Sequence, residues 1–68
     1  MPYVHVQMIE DGNTDEQKAA LIEGITKVFV DVLNRRPDGV WVVIDEIPQQ
    51  SWGIGGRSIA ARRAETGA

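Results

Sequence analysis

Two apolar segments on either side of one long helical pattern constrain the fold of this chain more than any other feature. In residues 3–9 the apolar side chains fall at every second position, which is typical of a strand with one buried face. A second strand is predicted over residues 40–47, and its first part, residues 40–44, is an almost continuous β-branched and apolar run that favours burial on both faces. Residues 15–34 carry apolar side chains at helical spacing. A connection of this length permits a right-handed crossover, so the sequence predicts one α/β (α+β) domain built on a β-α-β unit with parallel strands.

The ends and the middle of the predicted helix carry local signals. Thr14 is followed three residues later by Gln17, a spacing that fits a capping box. The Pro37–Gly39 segment ends the helical pattern and turns the chain. Gly24 lies inside the helix, where glycine costs about 1 kcal/mol relative to alanine. We expect a close helix–sheet or helix–helix approach to explain the glycine.

The C-terminal part is rich in glycine. Residues 53–56 contain three glycines, which favours a tight hairpin over about residues 52–58 or a close backbone approach. Residues 59–64 fit either a short helix or a final strand. We expect residues 62–68 to form a tail that frays toward its end, which completes a single domain of residues 1–68.

The small size of the chain predicts association with other copies. A chain of 68 residues buries little of its own surface, and it contains no cysteine that could form a disulfide. A two-stranded sheet covered by one helix also leaves its other face bare. Because 43% of the residues are hydrophobic, we expect some of that surface to meet another subunit, as a dimer that joins two sheets and stacks further.

Composition excludes several classes of function. The net charge of −3 argues against a nucleic-acid partner, which is expected to bind a basic patch. No stretch approaches the roughly 20 apolar residues of a membrane span, and no signal peptide is recognisable, so we expect a cytoplasmic location. One histidine and no cysteine provide neither a zinc site nor a Cys-His or Ser-His-Asp catalytic group. The histidine, His5, is expected to be exposed or at an interface.

Pro2 is the remaining candidate for chemistry. Removal of Met1 would make its nitrogen a free secondary amine, which is a base built from backbone. Burial among apolar groups and nearby cations both lower the pKa of such an amine toward neutrality, where a general base works best. Trp41 and Trp52 are candidates for the apolar wall, and an arginine is a candidate to anchor a substrate carboxylate.

Four segments together resemble the 4-oxalocrotonate tautomerase family of small enzymes with an amino-terminal proline, over essentially the whole chain. They are Met1–Val4, Asp15–Lys18, Val42–Glu46 and Trp52–Gly56. The resemblance implies a β-α-β fold with a C-terminal hairpin and dimers stacked into a hexamer, a trimer of dimers. It also implies proton transfer through the proline, with neither metal nor organic cofactor, that isomerises 2-hydroxy-dienoates and related enols to conjugated ketones.

The resemblance assigns site residues one by one. Pro2 matches the catalytic base of the family. Trp52 matches an aromatic residue, usually phenylalanine, that walls the site and helps keep the amine neutral. Ile9 matches an aliphatic residue beside the substrate.

The sequence departs from the family at both arginines that bind substrate anions. One of them falls at Gly12 or Asn13, and the other aligns with Trp41. Arg57 is one candidate to replace them, and the pair Arg35–Arg36 is the other. The apolar, tryptophan-lined site favours a less charged substrate than a dicarboxylate, such as an aryl enol or a monocarboxylate. Trp41 is equally consistent with a core or interface position.

Two alternatives to a tautomerase remain open on the sequence. A protonated Pro2 would serve as the acid of a hydratase or dehalogenase acting on an unsaturated acid. Such enzymes need an extra polar group to activate water, and the sequence shows no obvious one. The other alternative is a non-catalytic subunit that forms oligomers, which the loss of both arginines favours.

Overall fold

The computed structural model describes residues 1–67 and confirms the predicted β-α-β unit with a C-terminal hairpin. Strand β1 (Tyr3–Ile9) is followed by helix α1 (Asp15–Leu33) and strand β2 (Trp41–Ile47). The two strands are parallel and pair in register from Tyr3 opposite Trp41 to Ile9 opposite Ile47. The connection through α1 therefore joins two strands that are neighbours in the sheet, as the length of the helical pattern predicts.

Helix α1 begins and ends at local signals. The Thr14 hydroxyl accepts a hydrogen bond from the Gln17 backbone N–H at 3.1 Å, and the Gln17 side chain accepts one from the Thr14 backbone N–H at 2.9 Å. This is the capping box, and it satisfies two amides that the first turn leaves unpaired. At the other end Asn34 adopts a left-handed conformation with φ of 55°. The helix therefore ends at Leu33, one residue before the predicted end.

In the C-terminal part, of the two alternatives predicted for residues 59–64 the structure contains the helix, and this helix extends into the predicted tail. After a 3₁₀ turn at Gln49–Ser51, strands β3 (Gly53–Ile54) and β4 (Arg57–Ser58) pair as a short antiparallel hairpin. Helix α2 (Ile59–Thr66) follows directly.

Two caps explain why α2 extends so far. The Ser58 hydroxyl accepts from the Ala61 backbone N–H at 3.1 Å, and Gly67, left-handed at φ of 72°, donates its N–H to the Arg63 carbonyl. The predicted tail of residues 62–68 is therefore wrong for residues 62–66, which are helical. Its last residue, Ala68, lies outside the described residues.

The two faces of the parallel sheet differ. Helix α1 covers the face that carries Val4, Val6 and Val42, which are half-buried. The opposite face is open in the single chain, where Val43 is 41% exposed and Trp41 is 57% exposed. The expectation that β2 is buried on both faces is therefore not met within one chain, because nothing in residues 1–67 packs on the second face.

The chain has no interior of its own. No hydrophobic residue within 1–67 is buried. The radius of gyration is 15.6 Å, against about 11 Å for a compact domain of this length. The accessible surface is 5079 Å², against roughly 4,200 Å² for a folded monomer of this mass. These values describe a chain whose apolar faces are largely uncovered within residues 1–67.

Neither helix within residues 1–67 combines the length and the apolar character that a bilayer-crossing segment needs.

Candidate active site

Pro2 lies at the amino end of the parallel sheet, just before β1. Its carbonyl accepts a hydrogen bond from the Trp41 backbone N–H at 2.9 Å, so Pro2 is fixed beside the first residue of β2. Pro2 is half-buried, whereas Met1 before it is 87% exposed. Tyr3, 62% exposed, pairs in register with Trp41. The structure therefore brings Pro2 and Trp41 together in an open, largely aromatic setting.

Ile9 and Trp52 lie at the opposite, carboxyl end of the sheet. Ile9 pairs in register with Ile47, the last residue of β2. An open hollow of about 360 Å³ lies beside this end, lined by Gln7, Ile47, Ser51, Trp52 and Gly53. Trp52 is half-buried, and its carbonyl accepts from the Ile59 backbone N–H at 2.8 Å. This second pair of predicted site residues is therefore held at one end of the sheet by the turn after β2.

The two pairs do not meet within one chain. Strand β1 has seven residues, and six steps along a strand span about 20 Å. Pro2 precedes that strand, whereas Ile9 ends it. One copy of the chain therefore cannot place the Pro2 nitrogen, the Ile9 side chain and the Trp52 ring around one small molecule.

Arg57, the candidate for anion binding, already has a carboxylate partner. It lies on β4, and its guanidinium donates to Oε2 of Glu65 in α2. Its side chain is still 45% exposed. An anionic ligand would therefore compete with Glu65 for this guanidinium. The neighbouring Arg63 is also paired, donating to Oδ1 of Asp11 at 2.7 Å.

The positions of the two missing family arginines have other roles. Asn13 donates from Nδ2 to Oε2 of Glu46 at 3.2 Å, which ties the loop after β1 to β2. Trp41 exposes its ring on the open face of the sheet. Arg35 and Arg36 are exposed just after α1, and Arg36 lies 3.6 Å from Asp38. The Arg36 side chain is 87% exposed, against 45% for Arg57.

A polar cluster that sequence reasoning did not single out lies between α1 and β2. Lys18 donates from Nζ to Oε1 of Glu46 at 2.8 Å, and the Glu46 side chain is only 19% exposed. The hydrogen bonds from Lys18 and then Asn13 lower the pKa of Glu46, and the hydrogen bond to Glu46 raises the pKa of Lys18. The sequence carried a signal for this cluster: Lys18 occupies the same helical face as Ile25 and Phe29, which are half-buried, so a lysine there needs a polar partner.

His5 lies on the open face of the sheet, as expected for an exposed or interface residue. Its Nε2 is 3.6 Å from Oδ2 of Asp45, which also accepts from Gln7 at 3.5 Å. Asp45 and its neighbour Glu46 therefore point to opposite faces of β2 and do not form a carboxylate pair. Within residues 1–67 no three metal-ligating side chains gather into a potential metal site.

Comparison with known proteins identifies what this arrangement resembles. The sequence model of the family "Tautomerase enzyme" matches residues 2–62. A probable tautomerase of Dickeya dadantii is 45% identical over 65 residues, which cover 96% of this chain and 97% of the relative. A 2-hydroxymuconate tautomerase of Pseudomonas putida is 40% identical over 58 residues, covering 85% and 90%. The structure of a heterohexamer 4-oxalocrotonate tautomerase from Chloroflexus aurantiacus superposes with a TM-score of 0.79 at 30% identity, covering 88% and 95%.

Proposed function

The chain belongs to the tautomerase family, and we propose that it interconverts the enol and keto forms of a small unsaturated 2-oxo acid or a related enol, with the free amine of Pro2 as the general base. The observation that carries the proposal is the family match over residues 2–62, which begins at the proline. The identity of 40% to a 2-hydroxymuconate tautomerase supports an enol substrate of this kind.

The proposed reaction is a proton transfer that leaves the atoms of the substrate unchanged. The lone pair of the neutral Pro2 amine takes the proton of the enol hydroxyl, and the electrons move through the conjugated system. The protonated amine then returns the proton to a carbon, which gives the conjugated ketone. No cofactor is needed to balance this step, because one group accepts and returns the same proton.

This chemistry requires that Met1 be removed. With Met1 attached, the nitrogen of Pro2 belongs to a tertiary amide and has no basic lone pair. Met1 is 87% exposed, and its side chain is therefore not held by the rest of the chain. Its removal would leave the Pro2 carbonyl and its hydrogen bond from Trp41 in place.

The proposed site needs more than one copy of the chain. Because Pro2 and the Ile9–Trp52 pair lie at opposite ends of a strand about 20 Å long, the carboxyl end of one copy has to lie near the amino end of another. We therefore propose a homo-oligomer, a hexamer built as a trimer of dimers. The open sheet face, the missing interior and the heterohexameric relative all support association.

The proposed substrate carries at most one carboxylate. Trp41 and either Gly12 or Asn13 stand where the resemblance would place arginines, so two anion-binding groups are replaced by neutral ones. We assign the apolar wall to Trp52, Ile9 and Trp41. Arg57 is assigned to the remaining carboxylate, for which it would exchange its contact with Glu65.

The test compares the purified chain with its Pro2→Ala variant on simple enols and 2-hydroxy-dienoates, after intact mass has shown the loss of Met1. We expect a fall in kcat of about 10²- to 10⁴-fold, the usual contribution of a positioned acid or base. Pro37→Ala is the matched control, because that proline lies in the turn before β2, and it should leave the rate unchanged.

Three results would contradict the proposal. Equal rates for the parent and Pro2→Ala would rule out proline catalysis. Inactivity of the parent on every enol would favour a non-catalytic subunit. Consumption of an unsaturated acid without a ketone isomer would indicate a hydratase or dehalogenase.

A further inference from the structure

Polar contacts outside the sheet connect the loop after β1 to the segments on both sides of Trp52. On one side, Nε2 of Gln49 donates to the Glu10 carbonyl at 3.0 Å, and Gln49 shortly precedes Trp52 in the chain. On the other side, Arg63 of helix α2 donates to the Asp11 carboxylate at 2.7 Å. The loop is therefore held from two directions by the chain around this tryptophan.

The contact of Arg63 with Asp11 is the charged one of the two. Nη1 and Nη2 of Arg63 donate to Oδ1 and Oδ2 of Asp11 at 2.7 and 3.3 Å, so the guanidinium and the carboxylate meet through two bonds. Paired bonds of this kind fix direction as well as distance. Arg63 is half-buried, whereas its neighbour Arg62 is exposed. Of two adjacent arginines, the second is therefore the one that α2 turns toward the rest of the chain.

Helix α2 connects this contact to Trp52. The Ile59 backbone N–H donates to the Trp52 carbonyl at 2.8 Å. Ile59 and Arg63 lie one turn apart, about 6 Å along the axis and on the same side of the helix. Both are half-buried, and α2 packs against the 3₁₀ turn at Gln49–Ser51. The Asp11 carboxylate is therefore joined to Trp52 by hydrogen bonds and one turn of helix.

We propose that Arg63 is a positioning residue, which holds the loop after Ile9 to α2 and thereby sets the spacing between the Ile9 and Trp52 side chains. The inference rests on the proposed function, in which these two side chains form part of the apolar wall. Asp11 closely follows Ile9, so a released loop displaces the end of β1 first. A wider spacing leaves fewer wall atoms in contact with a bulky apolar group. Arg63 thus favours enol substrates that carry an aryl group.

This role is separate from proton transfer. Pro2 lies at the amino end of β1, whereas the contact of Arg63 with Asp11 lies beyond its carboxyl end. Loss of the contact should therefore raise KM and leave kcat near the parental value. A role confined to the fold would instead lower the unfolding midpoint and leave KM of the folded protein unchanged.

The first experiment measures KM and kcat of the parent and of Arg63→Gln for two enols of 2-oxo acids, one with an aryl group and one with a short alkyl group. Because a partly exposed ion pair contributes little energy, we expect KM for the aryl enol to rise about three- to fivefold. The rise for the alkyl enol should be smaller, because that substrate uses less of the wall.

Three further variants separate the contact from the charge. Asp11→Asn removes the partner and should give the same rise in KM as Arg63→Gln. Arg63→Lys keeps the positive charge and should recover part of the loss. Arg62→Gln is the matched control, because it removes the exposed neighbouring guanidinium, and it should leave KM unchanged.

The second experiment needs no substrate. Trp41→Phe leaves Trp52 as the single tryptophan, because the chain contains two. Quenching of its fluorescence by acrylamide measures how accessible the ring is, and acrylamide is neutral, so the lost charge does not change its approach. Adding Arg63→Gln should raise the quenching constant, and adding Arg62→Gln should leave it unchanged.

Equal effects of Arg62→Gln and Arg63→Gln on KM would overturn the proposal, as would an unchanged quenching constant for Trp52 in the Arg63→Gln protein. A fall in kcat at unchanged KM would overturn it as well. Failure of the proposed function has a different signature, a parental rate for Pro2→Ala. The quenching of Trp52 tests the positioning by Arg63 in that case too.

Discussion

The two ends of the parallel sheet are organised differently. At the carboxyl end, side chains tie the loop after β1 and helix α1 to β2: Asn13 and Lys18 both donate to Glu46. The Glu10 backbone N–H also donates to the Ile47 carbonyl at 2.7 Å. At the amino end, the backbone bond from Trp41 to the Pro2 carbonyl fixes the chain, and the rings of Tyr3 and Trp41 are exposed.

This difference shows which end of the sheet is stabilised by contacts within one copy of the chain. The polar contacts at the carboxyl end connect α1, β2 and the loop between β1 and α1, so they contribute to the fold of one copy. The exposed amino end contributes little to the fold of one copy, and its exposed groups are available to a substrate or to a second copy. Changes at the Pro2 nitrogen should therefore affect activity, whereas changes in the contacts of Asn13 and Lys18 with Glu46 should affect stability first.

The largest expected effect comes from blocking the amino end. A variant with a short uncleavable extension before Pro2 keeps its nitrogen as an amide, so it should lose about 10²- to 10⁴-fold in kcat. Its unfolding midpoint should match that of the parent, because Met1 is exposed and contributes little packing. The same extension added after Ala68 is the control. Equal activity of the two extended proteins would show that a free Pro2 amine is not the base.

Removing the Arg57 guanidinium should have the next largest effect. Hydrogen bonds to charged groups contribute about 1.5–3 kcal/mol, so Arg57→Gln should raise KM for a carboxylate substrate roughly tenfold or more. Glu65→Gln should lower KM, because it releases Arg57 from its competing partner. The control is Arg62→Gln, which changes an exposed residue on α2, the helix that carries Glu65. This variant should leave KM unchanged.

If Arg57→Gln and Glu65→Gln both leave KM unchanged, the carboxylate is bound elsewhere. Arg35 and Arg36 are then the arginines to test. Either result concerns substrate binding and leaves the proposed role of Pro2 intact.

The sequence predicted the regions whose signals are local. The alternation in β1 and the capping box at Thr14 each depend on a few neighbouring residues, and the structure contains both. The sequence left residues 59–64 open between a short helix and a strand, because the eight-residue segment between the caps Ser58 and Gly67 carries only one large apolar side chain, Ile59. The separation of Pro2 from Ile9 could be read from the sequence, because Pro2 precedes the predicted strand of residues 3–9 and Ile9 ends it.

Contacts that depend on tertiary structure were not predictable in the same way. The ion pair of Lys18 with Glu46 joins residues 28 positions apart, and nothing in the local pattern of either segment names the partner. The pairing of Arg57 with Glu65 depends on the direction that α2 takes after the hairpin. Nothing within residues 1–67 covers the open sheet face, so what covers it is not written in the local patterns of the chain.

The Lys18–Glu46 pair predicts how stability at the carboxyl end depends on pH. The pKa of Glu46 is lowered in the folded chain, so its contribution is present above its ordinary value of 4.5 and is lost as the pH falls through the lowered value. The pKa of Lys18 is raised, so its contribution is present below 10.5 and is lost as the pH rises through the raised value. Glu46→Gln should therefore lower the unfolding midpoint at neutral pH, and this difference should shrink in acid.

A second ion pair on α1 provides the control. Lys27 and Asp31 lie 2.6 Å apart, but their side chains are 72% and 56% exposed. Exposed pairs contribute little to stability, so Asp31→Asn should change the unfolding midpoint less than Glu46→Gln at neutral pH. A larger effect of Asp31→Asn would mean that the cluster at the carboxyl end is not a main contact between helix and sheet.

The smallest expected effect is at the capping box, and it separates helix stability from site chemistry. Thr14→Ala removes the oxygen that accepts from the Gln17 N–H, which should destabilise the chain by about 1 kcal/mol. Thr14→Ser keeps that oxygen and should recover most of the loss in thermal unfolding. Because Thr14 caps the helix and has no assigned role in the proposed site, kcat should stay near the parental value at temperatures where both proteins are folded. A fall in kcat without a fall in the unfolding midpoint would contradict this division between fold contacts and proton transfer, because it would give the Thr14 cap a role in the chemistry of the site.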